Sequence, residues 1–333
     1  MFTSFRDGVV ALVDGDTWRR ARTTLDIAGF EKADDGNHAV PLGDLDRTRE
    51  VLLTLSVVAQ ISQIKITPSS ETYIGDFARD LVDRLPGQWN VRVENYAMRV
   101  WQGDLATCMW STGPVAATLN QHRVRWSAVL QRDDGAELAV IRDPQRDLYH
   151  VGAIHPSSLR PDALVTPPAD VTVQPTPATA ARHIRSHLLP AYTRAVLHCQ
   201  VNSLEKDLDW AHETYTSRPV SEPPPTDLVD TFTRLTTTAP HITAAVRALA
   251  TLTEHEAAFL QRVDDVITAP THAETPHAYQ LAWWLTEGGE GLINLARRAV
   301  PDREPPVSEA SPALVSPRAL PPAPAQGTPG PHR

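Results

Sequence analysis

An α+β protein is the fold class the sequence predicts, and three observations lead to it. Period-two alternation of apolar residues is concentrated before residue 156, most clearly between Pro86 and Pro156. Helical spacing takes over beyond about residue 178. Proline clusters punctuate the chain: six between 156 and 177, and ten in the last 33 residues. The expected organisation is a small α/β module over 1–68, then an α+β module with an antiparallel sheet of about four strands and helices on one face over 69–156. A proline-rich linker over 157–177, a helical region over 178–300 and a disordered proline-rich tail over 301–333 complete it.

In chain order, Asp7 to Val13 reads as a short apolar strand, broken at Asp14-Gly15-Asp16-Thr17. Asp16 or Thr17 is placed to cap a helix over about Trp18 to Ala28, and Gly29 to stop it. Asp34-Asp35-Gly36-Asn37 is a turn, followed by a short extended piece from His38. A second helix is expected from Leu45 to Ile61, with Leu45, Leu52, Leu55 and Ala59 facing inward, and a strand at Ile64-Lys65-Ile66. A third helix starts near Ser70 and stops at Pro86-Gly87.

In the next strand Trp89, Val91 and Val93 alternate with Asn90, Arg92 and Glu94. A phase switch after Asn95 suggests a bulge, with the strand continuing to Trp101 and Arg99 and Trp101 turned outward. Pro114 opens a helix. Asp133-Asp134-Gly135 joins two apolar strands as a hairpin, with Trp126 expected in phase with Val124, Ala128 and Leu130. Leu148 to Ile154 is the last strand expected. Beyond the linker, a long helix from about Arg182 to Tyr215 carries two apolar stripes and a kink at Pro190. Further helices are expected near 226, 241–253, 254–268 and 276–299, the last interrupted at Gly288-Gly289.

Composition narrows the function. A net charge of −9 gives no general attraction for nucleic acid or an anionic membrane. Arginine outnumbers lysine 28 to 3, which points to a GC-rich bacterial genome. No run approaches the roughly 20 apolar residues of a membrane span, and the first residues are charged where a signal peptide needs an apolar core. A cytoplasmic protein is expected. Two cysteines, Cys108 and Cys199, make neither a disulfide framework nor a zinc cluster.

Three groupings could carry chemistry. An apolar strand ending in Asp14-Gly15-Asp16-Thr17 resembles the first motif of the haloacid-dehalogenase phosphohydrolases. That resemblance implies Asp14 as nucleophile and Asp16 as acid/base beside magnesium. It covers about nine residues, and Trp18 stands where the family carries Thr or Val. His183 and His187, one helical turn apart, form a candidate metal pair without the glutamate of a His-Glu-x-x-His site. Arg92, Arg99, Arg125 and Trp101 could stack and neutralise single-stranded nucleic acid on an open sheet face. Seven arginines against seven acids over 86–155 argue against that last reading.

No catalytic constellation is complete. The expectation is a non-enzymatic protein–protein interaction or adaptor protein with no cofactor, a protein partner and an unspecified oligomeric state. A phosphohydrolase using Asp14 and Asp16 is the first alternative, and nucleic-acid binding through the sheet the second.

Overall fold

The computed structural model describes residues 1–217, 226–268, 280 and 282–299. The tail 301–333, the triple proline at 223–225 and the loop histidines His272 and His277 lie outside them.

Two antiparallel sheets organise the first half. The first has the order β1-β2-β4-β3, with β1 Phe2–Ser4, β2 Gly8–Ala11, β3 Glu31–Lys32 and β4 His38–Val40. Gly8 makes this sheet possible: its φ is +84°, and a Cβ there would stand 2.2 Å from the Val40 carbonyl oxygen. Helices α1 (Trp18–Ala28) and α2 (Leu45–Ile61) pack together, and Leu25, Val51 and Leu55 share a core with Ala11, Phe30 and Val40. Gly29 closes α1 in the left-handed region, as expected. The N-cap is Thr17, but no side chain caps that end. Leu45 is exposed rather than buried, and Val51 takes its place in the core. The reason is that α2 is apolar on nearly every face, so spacing alone does not fix its inner side. Ile64-Lys65-Ile66 is coil rather than strand.

The second sheet is a meander of five strands in sequence order: β5 Trp89–Asn95, β6 Trp126–Arg132, β7 Glu137–Arg142, β8 Tyr149–Ala153 and β9 Val171–Val173. The hairpin at Asp133-Asp134-Gly135 pairs Ala128 with Val140 and Leu130 with Leu138. The fifth strand comes from the segment expected to be only a linker; Val171 pairs with Val151 and Val173 with Tyr149.

Helices cover both faces of this sheet, not one. Val91, Val93, Ala128, Leu130, Leu138 and Val140 pack against α3 (Ile74–Val82) and α6 (Pro177–His183). Val129, Ala139 and Ile141 pack against α4 (Arg99–Cys108) and α5 (Pro114–Gln121). Both parities of β6 and β7 are apolar, which is the mark of a strand buried on two sides. Phe77 stacks on Tyr149 with ring centroids 4.0 Å apart and planes 6° from parallel.

The expected bulge after Asn95 does not form. Strand β5 ends at Asn95 and the chain turns into α4. The turn is held by Arg123, which donates to the Tyr96 and Ala97 carbonyls, and by the Gly15 amide, which donates to Ala97 O at 3.0 Å. Val124 correspondingly leaves the phase of Trp126, Ala128 and Leu130 and packs beside α4 and α5.

The first sheet is fastened to α3 by a buried polar network. The Asp35 carboxylate accepts from Tyr73 Oη, from Arg79 Nη2 at 2.7 Å and from Asn37 Nδ2 at 3.2 Å. Arg79 also pairs with Asp7, and Asp76 accepts from Ser4 Oγ at 2.6 Å. Burial, with the Asp35 carboxylate beside it, pushes the Tyr73 hydroxyl far above its ordinary range, so it stays a donor. Burial likewise raises Asp76, against the bonds from Ser4 and the Phe5 amide that lower it.

In the helical region α6 runs through a π-helical turn, Ile184–Leu188, into α7 (Leu189–Thr216). Pro190 lies two residues beyond that turn. A proline ring crowds the carbonyl four residues back, and the wider π turn relieves the crowding without a break. The two stripes serve two cores. Ile184, Leu188 and Tyr192 join the core of the second sheet, whereas Leu197, Val201, Leu204 and Leu208 meet α8 (Thr226–Leu249) and α10 (Gly289–Ala299). Helix α8 continues through Pro240, so the separate helix expected from 241 is part of it. Helix α9 covers Glu254–Thr268, and a second π turn, Trp284–Gly288, precedes α10 at the expected glycine pair.

Candidate anion-binding cleft

Hairpin geometry gathers arginines that are far apart in sequence. With Ala128 opposite Val140, the register carries Trp126 opposite Arg142. Arg123 and Arg125 precede β6, Arg142 ends β7 and Arg146 lies in the turn between β7 and β8. All four line one cavity of about 500 Å³, with Trp126, Glu71 and Asp143 also in its wall. The lining acids number two against four arginines, in a protein whose net charge is −9. Asp14 and Asp147, outside this lining, pair with three of these arginines, which leaves Arg146 as the arginine without a carboxylate partner among the described residues.

The arginines are held at different strengths. Asp14 lies 3.0 Å from Arg123 Nη2 and 3.3 Å from Arg125 Nε. Arg142 Nη2 pairs with Asp147 at 3.0 Å. Its Nη1 stands 3.0 Å from Glu71 Oε2 but in an alignment that makes no hydrogen bond, and this nitrogen is out of solvent without a hydrogen-bond partner. Arg146 is exposed and has no carboxylate partner among the described residues. An oxyanion in the cleft would meet the exposed Arg146 guanidinium, whose paired N–H donors suit bidentate binding.

The turn that carries Arg146 is braced by hydrogen bonds. Asp143 Oδ1 accepts from the amides of Gln145 at 2.8 Å and Arg146 at 3.2 Å. His150 Nε2 stands 3.4 Å from Asp143 Oδ2, and its Nδ1 is 2.9 Å from Thr172 Oγ1 on β9. Desolvation would raise the Asp143 carboxyl, but the Gln145 amide and His150 outweigh it and hold the group below its usual value.

Of the residues singled out in the sequence as candidate site residues, only Arg125 lines this cleft, and Asp14 meets it through its pairs with Arg123 and Arg125. Arg92 is exposed on β5 and pairs with Glu94 at 2.7 Å. Arg99 opens α4 and donates to the Asn120 carbonyl at 3.3 Å. Trp101 is half-buried against Trp18, ring centroids 5.0 Å apart, rather than standing at the surface. The four do not form one patch, and the sheet face on which they were to lie is covered by α4 and α5.

Asp14 engages two arginines rather than an open metal position. Strand β2 ends at Ala11, three residues before Asp14, and its neighbours β1 and β4 are antiparallel to it. Asp16 is exposed in the turn before α1. The rings of His183 and His187 are 6.1 Å apart on the exposed side of the α6–π turn. Among the described residues no three His, Cys, Asp or Glu side chains gather as a metal site. Cys199 is buried, with burial raising its thiol to about 11, whereas Cys108 is exposed.

No protein-family model, curated protein or solved structure matches the chain.

Among the described residues no helix is long and apolar enough to cross a membrane. Arg123, Arg142, Arg146 and Glu71 were not singled out from the sequence, yet one signal pointed to them. A hairpin centred on Asp134 sets 126 opposite 142, and that arithmetic brings two arginine pairs to one end of the sheet.

Proposed function

We propose that this is a non-enzymatic binding protein, an adaptor whose cleft takes an anionic group such as a phosphate. The observation that carries the reading is the convergence of Arg123, Arg125, Arg142 and Arg146 on one cavity walled by Trp126. Arg146, exposed and with no carboxylate partner among the described residues, is the donor a ligand would engage first. Titration calorimetry with pyrophosphate at low salt tests this. Saturable binding that weakens at least about tenfold in Arg146→Ala is expected, since hydrogen bonds to charged groups contribute roughly 1.5–3 kcal/mol. Heat of dilution alone, or equal affinity in the variant, would end the reading.

The adaptor role has a second support in α2. Leu45, Leu53, Val57 and Ile61 are 70%, 61%, 58% and 77% exposed along its outer side. A row of this kind on a folded surface marks a contact for another protein. Affinity capture with wild-type bait and with a Leu53→Glu/Val57→Glu bait tests it; a partner set identical for both would remove this support.

A further inference from the structure

We propose that the ligand of the cleft is a nucleotide, its phosphates on Arg125, Arg142 and Arg146 and its base in an adjoining chamber. This rests on the anion-binding reading above and adds the chemical class.

A second cavity, of about 650 Å³, opens between α1, α2 and the coil 64–70, and shares Glu71, Arg125 and Trp126 with the arginine cleft. One wall is therefore common to a basic compartment and a larger chamber. Both volumes fall within the range of small-molecule sites, roughly 300–1,000 Å³. A phosphorylated molecule with a body of its own fits the pair; a bare oxyanion fills only one of them.

The chamber's lining decides what kind of body. Leu12, Leu25 and Leu55 supply apolar surface, Thr17, Thr24 and Ser70 bring hydroxyls, and Asp14, Glu71 and Lys65 add charged groups to the lining. The amides of Lys65, Ile66 and Thr67 donate to no protein acceptor among the described residues. An alkyl tail would desolvate these polar groups and return nothing. A heterocyclic base has an apolar face and a hydrogen-bonding edge, and it matches both parts of the wall. Trp126 stands at the shared boundary, held edge-on by Phe2 at 5.0 Å and 85°. Its indole is placed to stack on a base whose phosphates reach the arginines.

Three diphosphates with a common head test the assignment on the full chain by calorimetry: pyrophosphate, ADP and geranyl diphosphate. ADP is expected to bind at least about tenfold tighter than either of the others. Thr17 is exposed and its side chain makes no capping bond, so Thr17→Phe narrows the chamber at little structural cost. That variant should reduce ADP to the affinity of pyrophosphate and leave pyrophosphate unchanged. Ser70→Phe, at another position of the lining, gives the same comparison if circular dichroism shows Thr17→Phe to be misfolded. ADP no tighter than pyrophosphate, geranyl diphosphate as tight as ADP, or ADP affinity intact in the folded variants would each overturn the nucleotide assignment. If pyrophosphate binding also fails, or ignores Arg146→Ala, the cleft reading falls as well. If pyrophosphate binds and responds to Arg146→Ala while ADP gains nothing, only the nucleotide is lost.

Discussion

Arg79 donates through Nη2 to the Asp35 carboxylate at 2.7 Å, and the Asp35 side chain is wholly out of solvent. The pair joins the turn of the first sheet to α3, which packs on the second sheet. Removing one member of a buried ion pair leaves the other charge unpaired, at a cost of about 3–5 kcal/mol. Arg79→Ala is therefore expected to lose that much in denaturant unfolding. A loss below about 1 kcal/mol, the worth of an exposed pair, would contradict the structural role of the network.

Asp14 bears on two readings at once. If it only tempers Arg123 and Arg125, Asp14→Asn raises the positive potential of the cleft. Removing one charge near a protein surface changes the interaction by about 1 kcal/mol, so pyrophosphate should bind ~5-fold tighter. Weaker binding in calorimetry would mean that Asp14 positions the arginines instead. A nucleophilic Asp14 would show as magnesium-dependent phosphatase activity abolished by the same substitution.

Glu256 predicts a pH effect with a defined sign. The Thr253 amide, at 2.8 Å, leads the causes that bring its carboxyl down to about 2; the Thr253 hydroxyl and Arg298 follow. Glu256 N returns a bond to Thr253 Oγ1 at 3.3 Å, forming a capping box at the start of α9. A folded-state pKa below the unfolded value of 4.5 means the contribution is complete above pH 4.5 and is lost as pH falls toward 2. Carboxyl NMR should show the Glu256 midpoint near 2, moving up in Arg298→Ala. A midpoint near 4.5 in the wild type would dispose of the capping box.

The two thiols should separate cleanly. Cys108 is exposed and Cys199 buried, its thiol held as the neutral form to about pH 11. Ellman's reagent at pH 8 is expected to titrate one thiol in the native protein and two after denaturation, because the thiolate is the reacting form. Two fast native thiols would contradict the packing of Cys199 against Val165 and Ala195.

Much of the fold was legible wherever a local rule decides the conformation. Helices α1 and α2 have the expected bounds, Pro114 opens α5, and Asp133-Asp134-Gly135 makes its hairpin. Propensity, turn chemistry and periodicity agree at those places. Errors arose where distant residues intervene. Strand β5 stops because Arg123 and Gly15 hold the Tyr96 and Ala97 carbonyls. Residues 171–173 become a strand only because β8 offers an edge. Arg125 was singled out for its outward position, but its companions Arg142 and Arg146 come from the far end of β7 and the turn beyond it. Their meeting depends on sheet register, which a residue-by-residue reading does not carry.

An anion seated beside Trp126 would be reported directly by the tryptophan indole resonances. Eight tryptophans give eight candidate signals, and Trp126→Phe identifies the one that matters. On titration with pyrophosphate the Trp126 signal should move saturably. The signal of Trp284, fully buried in the helical core, should stay in place. A stationary Trp126 signal under saturating pyrophosphate would contradict the cleft as the binding site.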